Sequence, residues 1–466
     1  MPETATLSDV AVAALVTAMV AEQKQTHTYI LVVGLGLTGL SVVRHLREHG
    51  HSVVVVDSRA QPPGLEQLQQ DMPDVQVFCG PFNEALFMGA QQLVVSPGVP
   101  MQEPAIVHAI QQGVEAIGDI ELFAREVNAP VIAITGSNGK STVTTLVGEM
   151  ARRAGIKVAV GGNIGTPALD LLHEQAELYV LELSSFQLET LHSLQPIAAT
   201  VLNVSEDHMD RYDNVEHYAF VKQQIYQHCK TAVINRDDMR VSTMDRGLKS
   251  ISGFTLGEPA MGDFGLRDFG GEMWLCRGGK QLIAERELKL GGRHNTANAL
   301  AALALGEAAG IDLNAMLETL RCFTGLPHRT QWVCEHDSVN WYNDSKGTNV
   351  GATIAAIEGL QVDNKLILIA GGLGKGADFS PLRDAVKDKV RLVVLIGEDA
   401  VKIEQALQQI VPVMLANSMQ EAVQIAADLA HPGDSVLLSP ACASFDMFKG
   451  YEHRGEMFMD AVRALP

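Results

Sequence analysis

Lys140-Ser141-Thr142 closes the run Gly136-Ser137-Asn138-Gly139. In such a loop the glycines open backbone N–H groups to phosphates, the lysine reaches the β- and γ-phosphates, and the serine can hold Mg2+. The apolar run Val131–Thr135 predicts a strand entering the loop, and residues 143–154 predict the helix leaving it. Ile134 stands where the standard spacing has glycine, so the element is P-loop-like. A chance Gly-Lys-Ser at a helix start is the bland alternative, and it leaves the flanking strand and helix unexplained. The chemistry expected is that of a nucleoside triphosphate.

A second glycine turn, Gly34-Leu35-Gly36-Leu37-Thr38-Gly39, follows an apolar run at 29–33 and precedes a helical pattern at 40–49. Asp57 closes the next run, 52–56. Read alone, this is a dinucleotide-binding turn with an acid on a ribose hydroxyl, although any nucleoside diphosphate could use the same backbone. That reading admits an NAD-dependent oxidoreductase, which has no use for the Lys140 loop.

Other polar groups fall at predicted strand ends. Glu182 follows the buried-type run 178–181, where a carboxylate is costly unless paired or bound to metal. Asn203, Glu206, Asp207, His208 and Asp210 end the run that starts at 198. Lys222, on a helix predicted over 215–228, shares a face with Tyr218, Ile225 and Tyr226. Spacing alone favours a lysine that lays its stem on apolar surface, with an amine open to modification as the sharper alternative. Asn295 and Asn298 open an Ala/Leu-rich helix, as caps or as adenine contacts, and Arg329 follows Gly325-Leu326-Pro327-His328. Three further loops, 344–349, 371–375 and 439–446, carry small, polar or basic residues after apolar runs. Together they predict the carboxyl edge of another α/β sheet.

Positioning these groups requires parallel sheets covered by helices, because the runs at 29–33, 52–56, 93–96, Val131–Thr135, 178–183, 198–204, 365–370, 391–397, 411–416 and 435–439 are continuously apolar. Residues 245–290 predict short antiparallel strands. The chain has 466 residues, which at ~150 per domain suggests about three domains. We place them at 1–118, 119–324 and 325–466, at the breaks near Gly118 and Gly325. The fold class expected is α/β, with an N-terminal Rossmann-like domain, a central P-loop-type ATPase and a C-terminal Rossmann-like domain.

A net charge of −20 argues against nucleic-acid and anionic-membrane partners. The cysteines lack any Cys-x-x-Cys pair, which fits a reducing compartment. The apolar stretch 10–20 falls short of the ~20 residues a bilayer requires and lacks a basic flank, so it reads as an extra helix or frayed tail. A cytoplasmic protein without membrane insertion is the expectation.

Taken together, Thr135-Gly136-Ser137-Asn138-Gly139-Lys140-Ser141-Thr142, Glu182, His208, His294-Asn295, Arg329 and Asp344-Ser345-Lys346 resemble the Mur ligase family of ATP-dependent, amide-bond-forming enzymes. The resemblance runs from about residue 29 to 460. It implies a peptidoglycan-precursor ligase acting through an acyl phosphate, and the expectation is a monomer. The runs 183–188, 207–212 and 439–444 imply UDP-N-acetylmuramoyl-L-alanine and D-glutamate as its substrates, or another amino acid within the same family. Under it, UDP replaces NAD at the first turn, with Leu37, Thr38, Asp57, Ser58, Arg59, Gly80, Asn163 and His208 as its contacts. ATP falls to Gly136, Ser137, Asn138, Gly139, Lys140, Ser141, Thr142, Asn298, Arg329, Asp344 and Lys346. Two Mg2+ ions fall to Ser141, Glu182, His208 and a CO2-derived carbamate on Lys222, which reverses the bland reading of that lysine. Lys140, Glu182, His208 and Lys222 become the catalytic set, and Thr348, Lys375, Ser444 and Phe445 the D-glutamate contacts. Leu373, Gly347, Phe445 and Tyr451 depart from the family pattern, in place of Asp, Ala, Leu and Phe.

Overall fold

The computed structural model describes residues 29–245, 247–360 and 362–465. The apolar stretch at 10–20 lies outside them. Two compact units form. One holds the chain up to Ala133 with Lys157–Ile197 and Gln224–Lys230; the other holds Ile134–Ile156, Ala198–Gln223 and the chain from Thr231. The strands make sheets of five, nine and six members.

In the first unit, β1 (Ile30–Val33), β2 (Val53–Asp57), β3 (Gln76–Cys79), β4 (Gln92–Val95) and β5 (Glu115–Ile117) are ordered β3-β2-β1-β4-β5, all parallel. The valine-rich β1 and β2 are buried along their whole length, as strands covered on both faces must be. Helix α1 (Leu37–Glu48) makes the crossover between them, and the order reverses between β1 and β4, where ligands of open α/β sheets bind. After three further helices between the strands, the helix labelled α2 (Asp119–Glu126) follows β5. The short strands β3 and β5 escaped the sequence reading: β3 is half exposed and β5 has only three residues, so neither leaves a continuous apolar run.

Asp119, at the start of α2, is buried and accepts a 3.0 Å hydrogen bond from Gln187 Nε2. Burial pushes its carboxyl up to about 6, against the pull of the Gln187 amide and first-turn N–H groups. The folded value lies above the unfolded one, so the folded state holds the proton more tightly. Stability is therefore lost as pH rises from about 4 through about 6. At neutral pH the ionised group costs roughly 3 kcal/mol. Asp119→Asn should raise the urea midpoint at pH 7, and the gain should close by pH 4. A pH-independent difference would contradict this account.

Strand β6 (Val131–Thr135) crosses the division between the units, while β7 (Val158–Gly162) and β8 (Leu178–Glu182) pair in parallel in the first. In the second unit, β9 (Ala198–Val201), β10 (Thr231–Asn235) and β11 (Ile251–Phe254) run parallel. They are extended by β12 (Phe264–Asp268), β13 (Met273–Arg277) and β14 (Lys280–Ala284). The antiparallel prediction for 245–290 holds for β12–β14 but not for β11, which pairs in parallel with β10 and, through Phe254 and Phe264, with β12. Helix α3 (Lys140–Arg153) leaves the Lys140 loop. Helix α4 (Val215–Gln223) carries Lys222 and passes at its end into a 3-10 turn, Gln224–Tyr226. Helix α5 (Arg293–Ala308) is buried almost all round, and its alanines let α3 pack close beside it.

The third sheet, also in this unit, is β15 (Gln331–His336), β16 (Val339–Asn343), β17 (Leu366–Gly371), β18 (Val390–Ile396), β19 (Val413–Leu415) and β20 (Ser435–Leu438). Its order is β15-β16-β20-β17-β18-β19, parallel except for the β15–β16 hairpin. The three small-residue loops thus follow three neighbouring strands, β16, β17 and β20. Helices α6 (Val350–Gly359) and α7 (Tyr451–Arg463) follow β16 and β20. Among the described residues, no helix is long and apolar enough to cross a membrane, and the cysteines are free thiols.

Candidate active site

The Lys140 loop is held from one side by the end of β9. Ser137 Oγ donates to the Ser205 carbonyl at 2.9 Å and accepts from Ser205 N at 3.0 Å. Asn203 Oδ1 accepts from Asn138 N at 2.8 Å, and Asn203 Nδ2 donates to Asn138 O at 3.1 Å. Gly139 precedes α3 with φ 84°, a left-handed conformation that strains any other residue. A Cβ there would also meet Asn298 Oδ1 at 2.5 Å. Lys140 Nζ donates to the carbonyls of Gly136 at 2.7 Å and Ser137 at 3.0 Å. The loop is therefore a preformed concave backbone with an ammonium at its mouth and the N-terminus of a 14-residue helix behind it.

A cavity of about 360 Å³ opens beside this loop, lined among others by Asn138, Gly139, Thr142, Asn298, Arg329, Asp344 and Lys346. Asn298 Nδ2 donates to Asn295 Oδ1 at 3.2 Å, and Asn295 Nδ2 to the Gly291 carbonyl at 2.9 Å. Neither asparagine caps α5: the N-cap is Gly292, without a side-chain bond. Arg329 Nη2 donates to Ser141 Oγ at 2.7 Å. Asp344 accepts from Ser439 Oγ at 2.7 Å and from Thr330 N at 3.0 Å, and burial pushes it up to about 6. The Lys346 ammonium sits 3.7 Å from the centre of the Tyr451 ring.

A second set of contacts joins the loops after β9, β16 and β17. Lys375 Nζ donates to Asp207 Oδ1 at 2.8 Å, and Asn349 Nδ2 to Asp207 Oδ2 at 3.2 Å. Asn349 also exchanges amide hydrogen bonds with Asn138 at 3.1 and 3.3 Å. Burial pushes Asp207 up, but His208, charged at the low pH where both groups titrate, and the Lys375 ammonium outweigh it and hold the carboxyl at about 2. Burial lowers the His208 imidazole to about 4, so it is neutral at pH 7 and offers a lone pair. Its φ of 58° marks a sharp turn of the chain. Thr348 and Lys375 line this small cleft with Asp207 and His208. Ser444 is buried, while Phe445 is largely exposed.

The first unit has its own cavity, of about 480 Å³, at the β1/β4 switch point. Leu37, Thr38, Asp57, Ser58, Arg59 and Asn163 line it. Gly80 is absent from that lining, and its N–H donates to the Asp57 carbonyl at 2.9 Å. The Asp57 carboxylate accepts from Leu35 N at 2.7 Å and from Arg59 N and Nε at 2.9 Å. It thereby fixes both the glycine turn and the arginine. Burial acts to raise Asp57, but these bonds prevail and hold it below the usual carboxylate range. In the same unit Glu182 is buried at the end of β8, and its Oε1 accepts from Asn163 Nδ2 at 2.7 Å.

Comparison with known proteins adds the deciding observation. Residues 28–118 match the model of the Mur ligase MurD-like N-terminal domain, 134–306 the Mur ligase middle domain, and 328–442 the Mur ligase glutamate ligase domain. The chain is 55% identical over 444 residues to a UDP-N-acetylmuramoylalanine--D-glutamate ligase of Nitrosococcus oceani, covering 95% of this chain and 98% of that one. A protein of the same name from Marinobacter nauticus is 56% identical, covering 93% and 98%. The chain belongs to the Mur ligase family. A solved UDP-N-acetylmuramate-alanine ligase from Thermotoga maritima shares the fold, with TM-score 0.60 at 18% identity over 94% of this chain and all of that one. This Mur ligase therefore has three α/β domains in sequence.

The family uses Mg2+, and Glu182 fits a cation: its Oε2 is buried without a hydrogen-bond partner, a costly arrangement for a carboxylate that bound metal would relieve. The departures from the family pattern also find physical settings. At Gly347 a Cβ would come within 2.6 Å of both Asp344 Oδ2 and Ser439 Oγ, so the Asp344–Ser439 bond leaves room only for glycine. Tyr451 presents its ring to Lys346. Leu373 is held by backbone, exchanging two hydrogen bonds with Ala443.

Sequence reasoning gave no role to Asn349 or Arg454. Asn349 caps α6 through Ala352 N, and a polar residue before a helical pattern was the available signal. Arg454 left none. It is fully buried, and burial lowers it to about 10. It donates to Ser345 Oγ at 3.0 Å, Ser345 O at 2.8 Å and Cys442 O at 3.0 Å, which ties the Lys346 loop to the Ser444 loop.

Proposed function

We propose that this Mur ligase joins D-glutamate to UDP-N-acetylmuramoyl-L-alanine at the expense of ATP, in peptidoglycan precursor synthesis. Relatives of that name match it at 50–56% identity over nearly its whole length. The observation that carries the reading is the cavity in which the Lys140 loop meets Asn298, Arg329, Asp344 and Lys346.

ATP would lie with its phosphates in the 136–142 loop and its base against Asn298. Arg329, which reaches Ser141 of the loop, and Lys346 supply positive charge to the same cavity. The UDP moiety would occupy the cavity of Leu37, Thr38, Ser58 and Arg59, anchored by the Asp57–Arg59 pair. The alanyl carboxylate attacks the γ-phosphate, giving an acyl phosphate and ADP. Lys140 offsets the repulsion between these two anions. The D-glutamate amine then attacks the acyl carbon, the amide forms, and phosphate leaves with the C–O bond electrons. Thr348, Lys375, Ser444 and Phe445 would hold D-glutamate, the Lys375 ammonium facing a carboxylate. Two Mg2+ ions, on Ser141, Glu182, His208 and a Lys222 carbamate, would supply electrostatic stabilisation of the transferring phosphoryl group. We place the enzyme in the cytoplasm as a monomer.

The test is phosphate release from ATP with UDP-N-acetylmuramoyl-L-alanine and, in turn, D-glutamate, L-glutamate, L-alanine and L-lysine. D-Glutamate alone should support turnover. Turnover with one of the others in its place would assign the chain to a different member of the family.

A further inference from the structure

Away from these cavities, two histidines stand one turn apart, His45 in the last turn of α1 and His49 at its C-cap, and the last residue of α2, Glu126, faces both. Spacing of i and i+4 puts the two imidazoles on one helix face, with ring centroids 4.4 Å apart. His45 Nε2 lies 2.9 Å from Glu126 Oε1, and His49 Nε2 lies 3.5 Å from Glu126 Oε2. One donor atom from each residue falls within 4.8 Å of the others, and among the described residues no other group of three does so. A tetrahedron around an ion with bonds of roughly 2.0–2.2 Å has edges of about 3.3–3.6 Å. The 3.5 Å separation of His49 and Glu126 already spans one edge, and a side-chain adjustment of about 1 Å closes the others.

A further contact distinguishes the cluster from a pair of surface ion pairs. His49 Nδ1 lies 2.7 Å from the His45 carbonyl. A carbonyl can only accept, so Nδ1 carries the proton and donates it. In the neutral ring this leaves the Nε2 lone pair directed at the cluster, the outer-shell arrangement that orients histidine ligands. His45 is almost fully buried, whereas His49 and Glu126 are exposed, so the site has one fixed wall and a side open to water.

We propose that His45, His49 and Glu126 bind one divalent transition-metal ion, of the Zn2+ class, with water completing the coordination. Two imidazoles and a carboxylate suit Zn2+, Co2+ or Ni2+ and not Mg2+, which takes oxygen ligands in an octahedron. The ion would clamp the C-terminal half of α1, whose first turn lines the nucleotide cavity, to the end of α2. Its effect would be to stabilise the first unit with the logarithm of metal concentration above the dissociation constant.

The experiment uses the full chain, stripped of metal and kept in excess Mg2+. It is titrated with Zn2+ by calorimetry and with Co2+ by visible absorption, and thermal midpoints are recorded with and without Zn2+. One ion per chain is expected, with a Co2+ spectrum free of thiolate charge transfer and a midpoint that rises with Zn2+. His49→Ala and Glu126→Gln should each weaken Zn2+ by more than the roughly 10–100-fold that loss of an outer-shell partner costs, and abolish the midpoint rise. Both variants should keep D-glutamate-dependent turnover, which separates this site from the catalytic one. Equal Zn2+ binding by wild type and both variants, no binding in excess Mg2+, or a thiolate-bearing Co2+ spectrum would each overturn the proposal.

Discussion

Lys140→Ala is expected to lower D-glutamate-dependent phosphate release by roughly 10²–10³-fold or more, the scale seen when one preorganised charge-stabilising donor is removed. The size follows from where the charge sits. Lys140 is the first residue of α3, and its Nζ hangs over the loop on the Gly136 and Ser137 carbonyls. Bringing a carboxylate to a γ-phosphate joins two anions, and a cation held in a concave, partly desolvated loop opposes that repulsion far better than one in water. The loss should fall mainly on kcat. Affinity for the UDP substrate should change little, because the cavity of Leu37, Thr38 and Arg59 keeps its own anchors. Lys140→Arg should not restore activity, since a planar fork cannot replace a compact ammonium inside a backbone loop. Steady-state assays with ATP and the UDP substrate varied separately read the split. Wild-type turnover by Lys140→Ala would remove the loop from the reaction.

What could be read from the sequence, and what could not, divides along physical lines. Buried parallel strands such as β1, β2, β6 and β17 are continuous apolar runs, so they announce themselves, and the loops that follow them carry the polar residues of the site. Exposed or short strands such as β3 and β5 carry no such run. Lys140, Arg329 and Asp344 were visible because a glycine turn or a strand end makes a polar residue conspicuous. Arg454 sits in the first turn of a helix among Glu452, His453 and Glu456, a pattern that reads as a solvated face. Only the packing of α7 shows that its guanidinium is buried among the carbonyls of two loops. The antiparallel reading of β11 failed for a related reason: Gly253 interrupts a short strand, and nothing local records its parallel neighbour.

The net charge of −20 acquires a sharper meaning from these contacts. Every substrate of the proposed reaction is an anion, yet the cations near the cavities are already engaged: Arg59 with Asp57, Lys375 with Asp207, Arg329 with Ser141. These partners hold each cation in one orientation, which reduces the entropy lost when a substrate arrives. A carboxylate approaching Lys375 must compete with Asp207, so specificity for an acidic amino acid can arise from that exchange.

Lys222→Ala is expected to be nearly inactive, with kcat down by at least about 100-fold, and to regain part of that loss when a short carboxylic acid is added. Lys222 is buried on α4, with Nζ 3.1 Å from the Gly136 carbonyl, 3.4 Å from Thr135 Oγ1 and 4.4 Å from the centre of the Tyr218 ring. The same Gly136 carbonyl accepts from Lys140 Nζ. Two ammonium groups sharing one oxygen repel each other strongly in a desolvated site. Under the proposed mechanism, reaction of the neutral Lys222 amine with CO2 would form an N–C bond, release a proton and leave a carbamate anion, which would turn that repulsion into attraction. An anion there would also serve the cations that the reaction brings to the loop. Acetate or formate can enter the space vacated by the side chain and restore the negative charge, whereas an amine of similar size cannot. The discriminating measurement is turnover of Lys222→Ala against carboxylate and against methylamine concentration, with the unfolding midpoint followed in parallel to confirm that the variant is folded. Rescue by methylamine but not by acetate would show that the lysine works as a cation and would remove the carbamate from the mechanism.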